Sequence, residues 1–376
     1  MLFLTFNDAP SGIYISQVTD VCQFLNKELG AKVKLISFIS LRGFAGNRYK
    51  IKAAFPGACV LPMFPKVKFW KLNIYALICI VLFSRKNRMI ARGPYATLLG
   101  LKLKKMGLIR KVCFDARGAY TAELNEYDVV SDRKMKQDIL EIERRALLDS
   151  DFRLAVSASL VYYWKESFQY HSEDHVIIPC TLGKSFLRQL PSEADCLKRR
   201  AELGFSANEL VIAYSGSSAG WQSFSLLAEY LLPLMEKNPL LRILFLTKEI
   251  PIDFRDKPVC KGRIVQKWLR EDEVRLYLGA CDFGVILREP SVTNRVASPV
   301  KFAEYLSAGL PVIISEGIGD YSSFVKAHHC GVVWERAGGN SLPAKPDRSE
   351  KERFNRMAVE YFSKEAFRDQ YKRLLV

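Results

Sequence analysis

The stretch SPVKFAEYLSAGLPVIISEGIGD, residues 298–320, reads as a helix, a turn, a buried strand and a glycine-rich turn. Ser298 is a favoured N-cap, Pro299 suits the first helical position, and Gly309 followed by Pro311 supplies the stop. On such a helix residues 298, 301, 304 and 308 share one face, while Phe302 and Leu306 form another. Lys301 then falls in the first turn, at the positive end of the helix dipole, where a cation is mildly unfavourable. Two readings explain it. In one, Lys301 and Glu304 make an exposed ion pair worth a few tenths of a kcal/mol. In the other, Lys301 and the helix N-terminus together bind a phosphate, and Glu304 accepts hydrogen bonds from sugar hydroxyls.

Outward from this stretch, short β-rich runs alternate with longer helical patterns in both directions. The first half predicts strands near 1–6, 33–39, 88–91, 111–114, 153–156 and 175–178. Helices near 13–28, 95–106, 133–149 and 158–169 lie between them. The pattern pauses at IPCTLGKSF, 178–186, and resumes with strands near 210–215, 241–247, 262–265, 282–287, 311–315 and 331–334. Repetition of βα units twice over predicts an α/β protein of two doubly wound, Rossmann-like parallel-sheet domains facing across a cleft.

Length and composition agree. The 376 residues are 49% hydrophobic, enough for two domains. A formal net charge of +16, read as scattered along the chain, favours anionic partners: nucleic acid, an acidic membrane surface or phosphorylated substrates. Nucleic acid is set aside, because no RNP-like strand, helix-turn-helix or zinc motif accompanies the charge. The N-terminus shows no signal-peptide pattern. FWKLNIYALICIVLF, 69–83, is too short to span a bilayer and reads as a buried helix in preference to a membrane-surface one. Nine cysteines that occur singly, several of them (such as Cys79 and Cys113) inside apolar strands, suggest a reducing compartment. No metal site is expected from the spacing of His, Cys and carboxylates.

In open α/β sheets ligands bind beyond the carboxyl ends of the strands, which turns the sequence into a short set of places to look. The YSGSSAGWQ loop offers Gly216, Ser217 and Ser218, whose amides can form an anion-binding nest. LTKE supplies Lys248, and LREPS supplies Arg288 and Glu289. In the first half DARG supplies Asp115 and Arg117, with Glu123 shortly after; an internal Asp–Arg pair and a polar cleft group are both open readings. Gly12, after Ser11, opens the first helix as an approach turn.

These residues carry a likeness. The YSGS loop, the CDFGVIL strand and above all the 298–320 stretch, with its Pro-x-Lys-x-x-Glu-Tyr-Leu helix before Gly-x-Pro-Val-Ile, resemble the second domain of glycosyltransferase family 4, and the chain looks like a GT-B glycosyltransferase. The resemblance implies an acceptor-binding domain over 1–181, a nucleotide-sugar-binding domain over 182–360, and a closing helix over 361–376 (FSKEAFRDQYKRLL) that packs back on the first. It further implies retaining transfer from a nucleotide-diphosphate sugar to a glycan or lipid-linked acceptor, without an essential metal or other cofactor. Lys301, Asp115, Arg117 and Glu123 are then the catalytic candidates. Gly12, Gly216, Ser217, Ser218, Lys248, Arg288, Glu289, Ser298 and Glu304 are the donor-binding ones, with Glu304 on the ribose. The first glutamate of the family's Glu-x7-Glu pattern is replaced here by Val296. Cell-surface polysaccharide synthesis in the cytoplasm, with peripheral contact to the anionic inner face of the plasma membrane, completes the expectation. A non-catalytic GT-B subunit that binds a nucleotide or glycan is the alternative.

Overall fold

A computed structural model describes the protein except for residues 65–66, 128–132, 218–221 and 376 and the side chains of 68, 133–135 and 271. The chain divides into two units, 1–183 together with 367–376, and 184–366.

Unit 1 is a sheet of β1 (Leu2–Phe6), β2 (Lys34–Ile39), β3 (Cys59–Pro62), β4 (Arg88–Arg92), β5 (Lys111–Asp115), β6 (Phe152–Ala155) and β7 (His175–Ile177). Its order is β3-β2-β1-β4-β5-β6-β7, and the pairings are parallel. Helices α1 (Asp20–Lys27), α2 (Phe44–Ala54), α3 (Ile74–Ser84), α4 (Pro94–Lys105), α5 (Tyr120–Glu126), α6 (Arg133–Leu148) and α7 (Ala158–Phe168) connect the strands. Because successive strand residues face opposite ways, Phe3 of β1 joins one core with Val18, Leu25 and Ile51, while Leu2 and Leu4 join another with Leu77 and Leu99. Both faces are covered, so β1 reads LFLTF, an apolar run without alternation.

Unit 2 repeats the plan with β8 (Leu210–Ser215), β9 (Leu241–Leu246), β10 (Ile264–Lys267), β11 (Phe283–Ile286), β12 (Val312–Ser315) and β13 (Gly331–Trp334). The order is β10-β9-β8-β11-β12-β13, again with parallel pairings. Its principal helices are α8 (Phe224–Lys237), α9 (Val300–Ser307) and α10 (Arg348–Phe362). Gly284 sets how closely α9 lies on the sheet: a Cβ there would stand 2.3 Å from the Tyr305 ring. The Tyr305 hydroxyl in turn accepts a hydrogen bond from Ser215 N, at the end of β8, at 2.8 Å.

Five points differ from the sequence expectations. Helix α9 begins at Val300 with Pro299 as N-cap, and the Ser298 hydroxyl pairs with the Tyr321 hydroxyl at 2.8 Å instead of capping. The return to unit 1 starts at Phe367 rather than 361: Phe362 is buried against Phe302, Tyr321 and Phe324, whereas Tyr371 and Leu374 enter the unit 1 core. The 69–83 run is buried on one side only. Ile74, Leu77 and Val81 of α3 face the core, while Tyr75, Leu82 and Phe83 are 68%, 58% and 88% exposed. Cys79, read as lying in an apolar strand, is on that exposed side of the helix. Finally, β3 and α2 were not anticipated: β3 is a four-residue edge strand ending in Pro62, and α2 is basic and mostly solvated.

Candidate functional site

In each sheet the strand order reverses about one point, between β1 and β4 in unit 1 and between β8 and β11 in unit 2. Crevices beyond the carboxyl ends at such points are where α/β sheets take ligands.

At the unit 2 switch point, β8 ends in Ser215 and is followed by Gly216, and β11 runs on into Leu287 and Arg288. Gly216 adopts φ +144°, and a Cβ there would lie 2.9 Å from Lys301 Nζ, so only glycine lets the loop lie against the ammonium. Lys301 is 7% exposed. Its Nζ donates to Gln222 Oε1 at 2.9 Å and stands 4.3 Å from the centre of the Tyr214 ring. The Tyr214 hydroxyl donates to the same amide oxygen at 2.9 Å. Arg288, also buried, donates through Nη1 to Asn294 Oδ1 at 3.3 Å, and its backbone N–H donates to Ser315 Oγ at 3.0 Å. Burial holds the Lys301 amine well below its usual range; the Arg288 charge depresses it further, and Glu304 only partly opposes this. The exposed ion-pair reading of Lys301 is therefore not what α9 builds. One hydrogen bond from each of these desolvated cations ends on a neutral amide oxygen, and an anion arriving there would relieve their mutual repulsion.

Beside this pair is a groove of about 340 Å³ lined in part by Ser217, Phe224, Thr247, Lys248 and Trp268. Trp268 follows β10, is 61% exposed, and carries the Lys248 ammonium 5.4 Å from its ring centre. Sequence reading missed Trp268, although the strand-end rule applied to KWLR after β10 would have found it. Glu289 is fixed through its backbone N–H, which donates to Ser223 Oγ at 2.9 Å, and its carboxylate lies 3.8 Å from Arg336. Val296, where the family pattern has glutamate, is 1% exposed. Glu304 is partly buried one turn beyond Lys301. Ser218 lies outside the described residues.

The unit 1 switch point is filled differently. Arg92, at the end of β4, donates through Nε to Asp8 Oδ2 at 2.9 Å and lies 3.6 Å from Asp115 Oδ2. Arg117 grips Asp115 from the other side, Nε to Oδ1 at 2.8 Å and Nη2 to Oδ2 at 3.0 Å. Asp115 is 0% exposed, so of its two open readings the internal pair is the arrangement built. Glu123 sits on α5 near Glu143, whose carboxylate accepts from Tyr120 N at 2.9 Å and Thr121 N at 2.7 Å and so caps that helix. Burial raises the proton affinity of both glutamates. Gly12 is exposed in the first helical turn, where Ser11 Oγ accepts from Tyr14 N at 3.2 Å. Among the described residues no group of three or more His, Cys, Asp or Glu could hold a metal ion.

No protein-family model and no curated protein matches the chain. Solved structures do. Sucrose-phosphate synthase from Thermosynechococcus elongatus superposes with a TM-score of 0.67 at 15% identity, covering 100% of this chain and 98% of that one. Anabaena HepE in complex with UDP gives 0.68 at 13% identity, covering 100% and 98%. WaaG, a glycosyltransferase involved in lipopolysaccharide biosynthesis, gives 0.61 at 12% identity, covering 100% and 94%. Two parallel α/β sheets, each reversing at a switch point, and full-length superposition on these proteins lead to one conclusion: the chain has the GT-B fold of the glycosyltransferases.

Proposed function

We propose that the protein is a retaining glycosyltransferase that moves a sugar from a nucleotide-diphosphate sugar held by unit 2 to a hydroxyl of a glycan or lipid-linked acceptor held by unit 1. The observation that carries this reading is the buried Lys301–Arg288 pair at the β8–β11 switch point beside Gly216, with one hydrogen bond from each cation ending on a neutral amide oxygen. Transfer breaks the bond between the anomeric carbon and the diphosphate, and negative charge gathers on the departing oxygens. Lys301, Arg288 and the amides at Gly216 and Ser217 stabilise that charge in a site already stripped of water. The base stacks on Trp268 in the adjoining groove, Lys248 meets the outer phosphate, Glu304 takes the ribose hydroxyls and Glu289 approaches the sugar. Glu123, with its raised proton affinity, receives the acceptor proton, while Asp115 acts through Arg92 and Arg117 by holding them in place. No essential metal takes part, because two cations already supply the charge. HepE's UDP complex and WaaG's role in lipopolysaccharide biosynthesis support a uridine nucleotide and a place in cell-surface polysaccharide assembly; a cytoplasmic location with peripheral contact to an anionic membrane completes the proposal.

The test is a thermal-shift panel of nucleotides and nucleotide sugars on the wild type and Glu304→Ala, since a ligand bound to the native state raises the melting temperature by mass action. A nucleotide diphosphate that stabilises the wild type and fails to stabilise the variant supports the site. Failure of every nucleotide to shift the folded wild type sinks the reading.

A second reading has one observation in its favour. Buried Val296 removes the carboxylate expected beside the donor sugar, which suits a non-catalytic subunit that binds a nucleotide or glycan. Release of free nucleotide from a donor sugar by the purified protein would decide for the enzyme.

A further inference from the structure

Counted by segment, the basic residues are scattered along the chain, but the acidic ones are not. Residues 29–114 contain 18 of the 56 Lys and Arg and none of the 40 Asp and Glu, so the remaining 38 basic and 40 acidic residues nearly cancel. The whole positive charge of the protein therefore resides in the half of unit 1 that runs from the end of α1 to β5. The same segment contains α3, which is apolar on every side and carries no charged residue. Its inner face, Ile74, Leu77 and Val81, packs on the core. Its outer face presents Tyr75, Ala76, Cys79, Leu82 and Phe83 to solvent at helical spacing, and Phe69 and Leu72 extend that surface through the preceding turn. A helix with a second apolar face in water calls for a covering phase. Exposed Lys71 and Arg85 stand at its two ends, with Lys86 next in the chain. The helix is 11 residues long, and among the described residues no helix is long and apolar enough to cross a membrane.

We infer that α3 is an interfacial anchor that lays Tyr75, Leu82 and Phe83 into an anionic lipid bilayer while Lys71, Arg85 and Lys86 at its two ends bind the headgroups. Charge decides this occupant. Two copies of the chain meeting face to face through α3 would bring their Lys71, Arg85 and Lys86 charges together and repel, and a zwitterionic surface would leave those charges unanswered. An anionic bilayer satisfies both features at once: the aromatic and leucine side chains sink to the acyl boundary, and each nearby Lys or Arg gains from the negative surface potential. The inference deepens the proposed membrane contact of the enzyme but stands on observations in unit 1 alone, so it survives if sugar transfer fails.

The experiment is co-sedimentation of the full chain with phosphatidylglycerol–phosphatidylcholine vesicles and with phosphatidylcholine vesicles alone, at low and high salt. The wild type is expected to pellet with the anionic vesicles, less so at high salt, and to remain in the supernatant with the neutral ones. Leu82→Glu/Phe83→Glu should lower the partition constant at least tenfold. Arg85→Gln/Lys86→Gln, a change confined to solvent-facing side chains, should lower it on the order of tenfold and weaken its salt dependence. Nucleotide thermal shifts on the same variants should match the wild type, which separates loss of docking from loss of the donor site. Equal vesicle binding by the wild type and both variants overturns the inference. So does a wild type that is a dimer in lipid-free buffer and becomes monomeric with Leu82→Glu/Phe83→Glu, because α3 would then be covered by a second copy.

Discussion

The two switch points occupy the same place in the same kind of sheet and are filled by opposite electrostatics. In unit 1, Asp8, Arg92, Asp115 and Arg117 alternate in sign, and the pairing is close enough to neutralise all four. In unit 2, Lys301 and Arg288 lie near each other with amide oxygens as hydrogen-bond acceptors, and the positive neighbour outweighs the negative one in setting the lysine's proton affinity. A balanced network leaves no net charge for a ligand to neutralise. An unbalanced one costs stability in the empty protein and returns it when an anion binds. The difference separates a scaffold from a site more sharply than residue type does, since both crevices contain arginine, glycine and carboxylate.

The largest effect that could break this comparison lies in unit 1. Asp115→Ala leaves two half-buried guanidinium groups without their shared carboxylate and should cost about 3 kcal/mol, read as a lowered denaturation midpoint. Near-wild-type stability would mean that the network is ornamental. Next, Lys301→Gln keeps a hydrogen-bonding side chain but removes the charge, and should lower kcat roughly a hundred- to a thousandfold with little loss of stability. A destabilised protein with normal turnover would reverse the roles assigned to the two crevices.

The pH dependence sharpens the contrast further. The Lys301 amine is depressed in the empty site, and a bound diphosphate raises it again. Below the depressed value the amine is already charged and affinity is full. As pH rises through that value toward the one in the complex, each binding event must take up a proton, and nucleotide affinity falls. Calorimetry in buffers of different ionisation enthalpy should show this uptake in the wild type and none in Lys301→Gln. Smallest is Trp268→Ala, which removes a stacking face and should raise the nucleotide Kd about 5- to 100-fold, from roughly 1–3 kcal/mol per stacked base. An unchanged Kd would move the base out of the groove.

How much of this was legible in the sequence depended on distance along the chain. The α9 helix, its turn and β12 were readable because capping, periodicity and punctuation act over a few residues. Lys301 was singled out for being misplaced, but its burial was not foreseen: Gln222 and Tyr214, its contacts, come from 79 residues away and further. Asp8 went unnoticed for the same reason, since its pairing with Arg92 spans 84 residues. Trp268 was missed because exposed aromatics beyond a short, weakly patterned strand give no periodic signal. The acid-free run 29–114 is different in kind. It is fully written in the sequence, and a whole-chain charge count averaged it away.

Tyr305 has a consequence for the entropy of ligand capture. Its ring rests on the bare backbone of Gly284 and its hydroxyl holds Ser215 N, so one side chain clamps the lysine-bearing helix to the strand end that carries Gly216. The ammonium and the glycine turn thus move as one piece. Little conformational freedom is left for an incoming diphosphate to remove, and more of its contact energy appears as affinity. Tyr305→Phe deletes only the oxygen, so its signature should be a more unfavourable binding entropy in a site whose cations are otherwise intact.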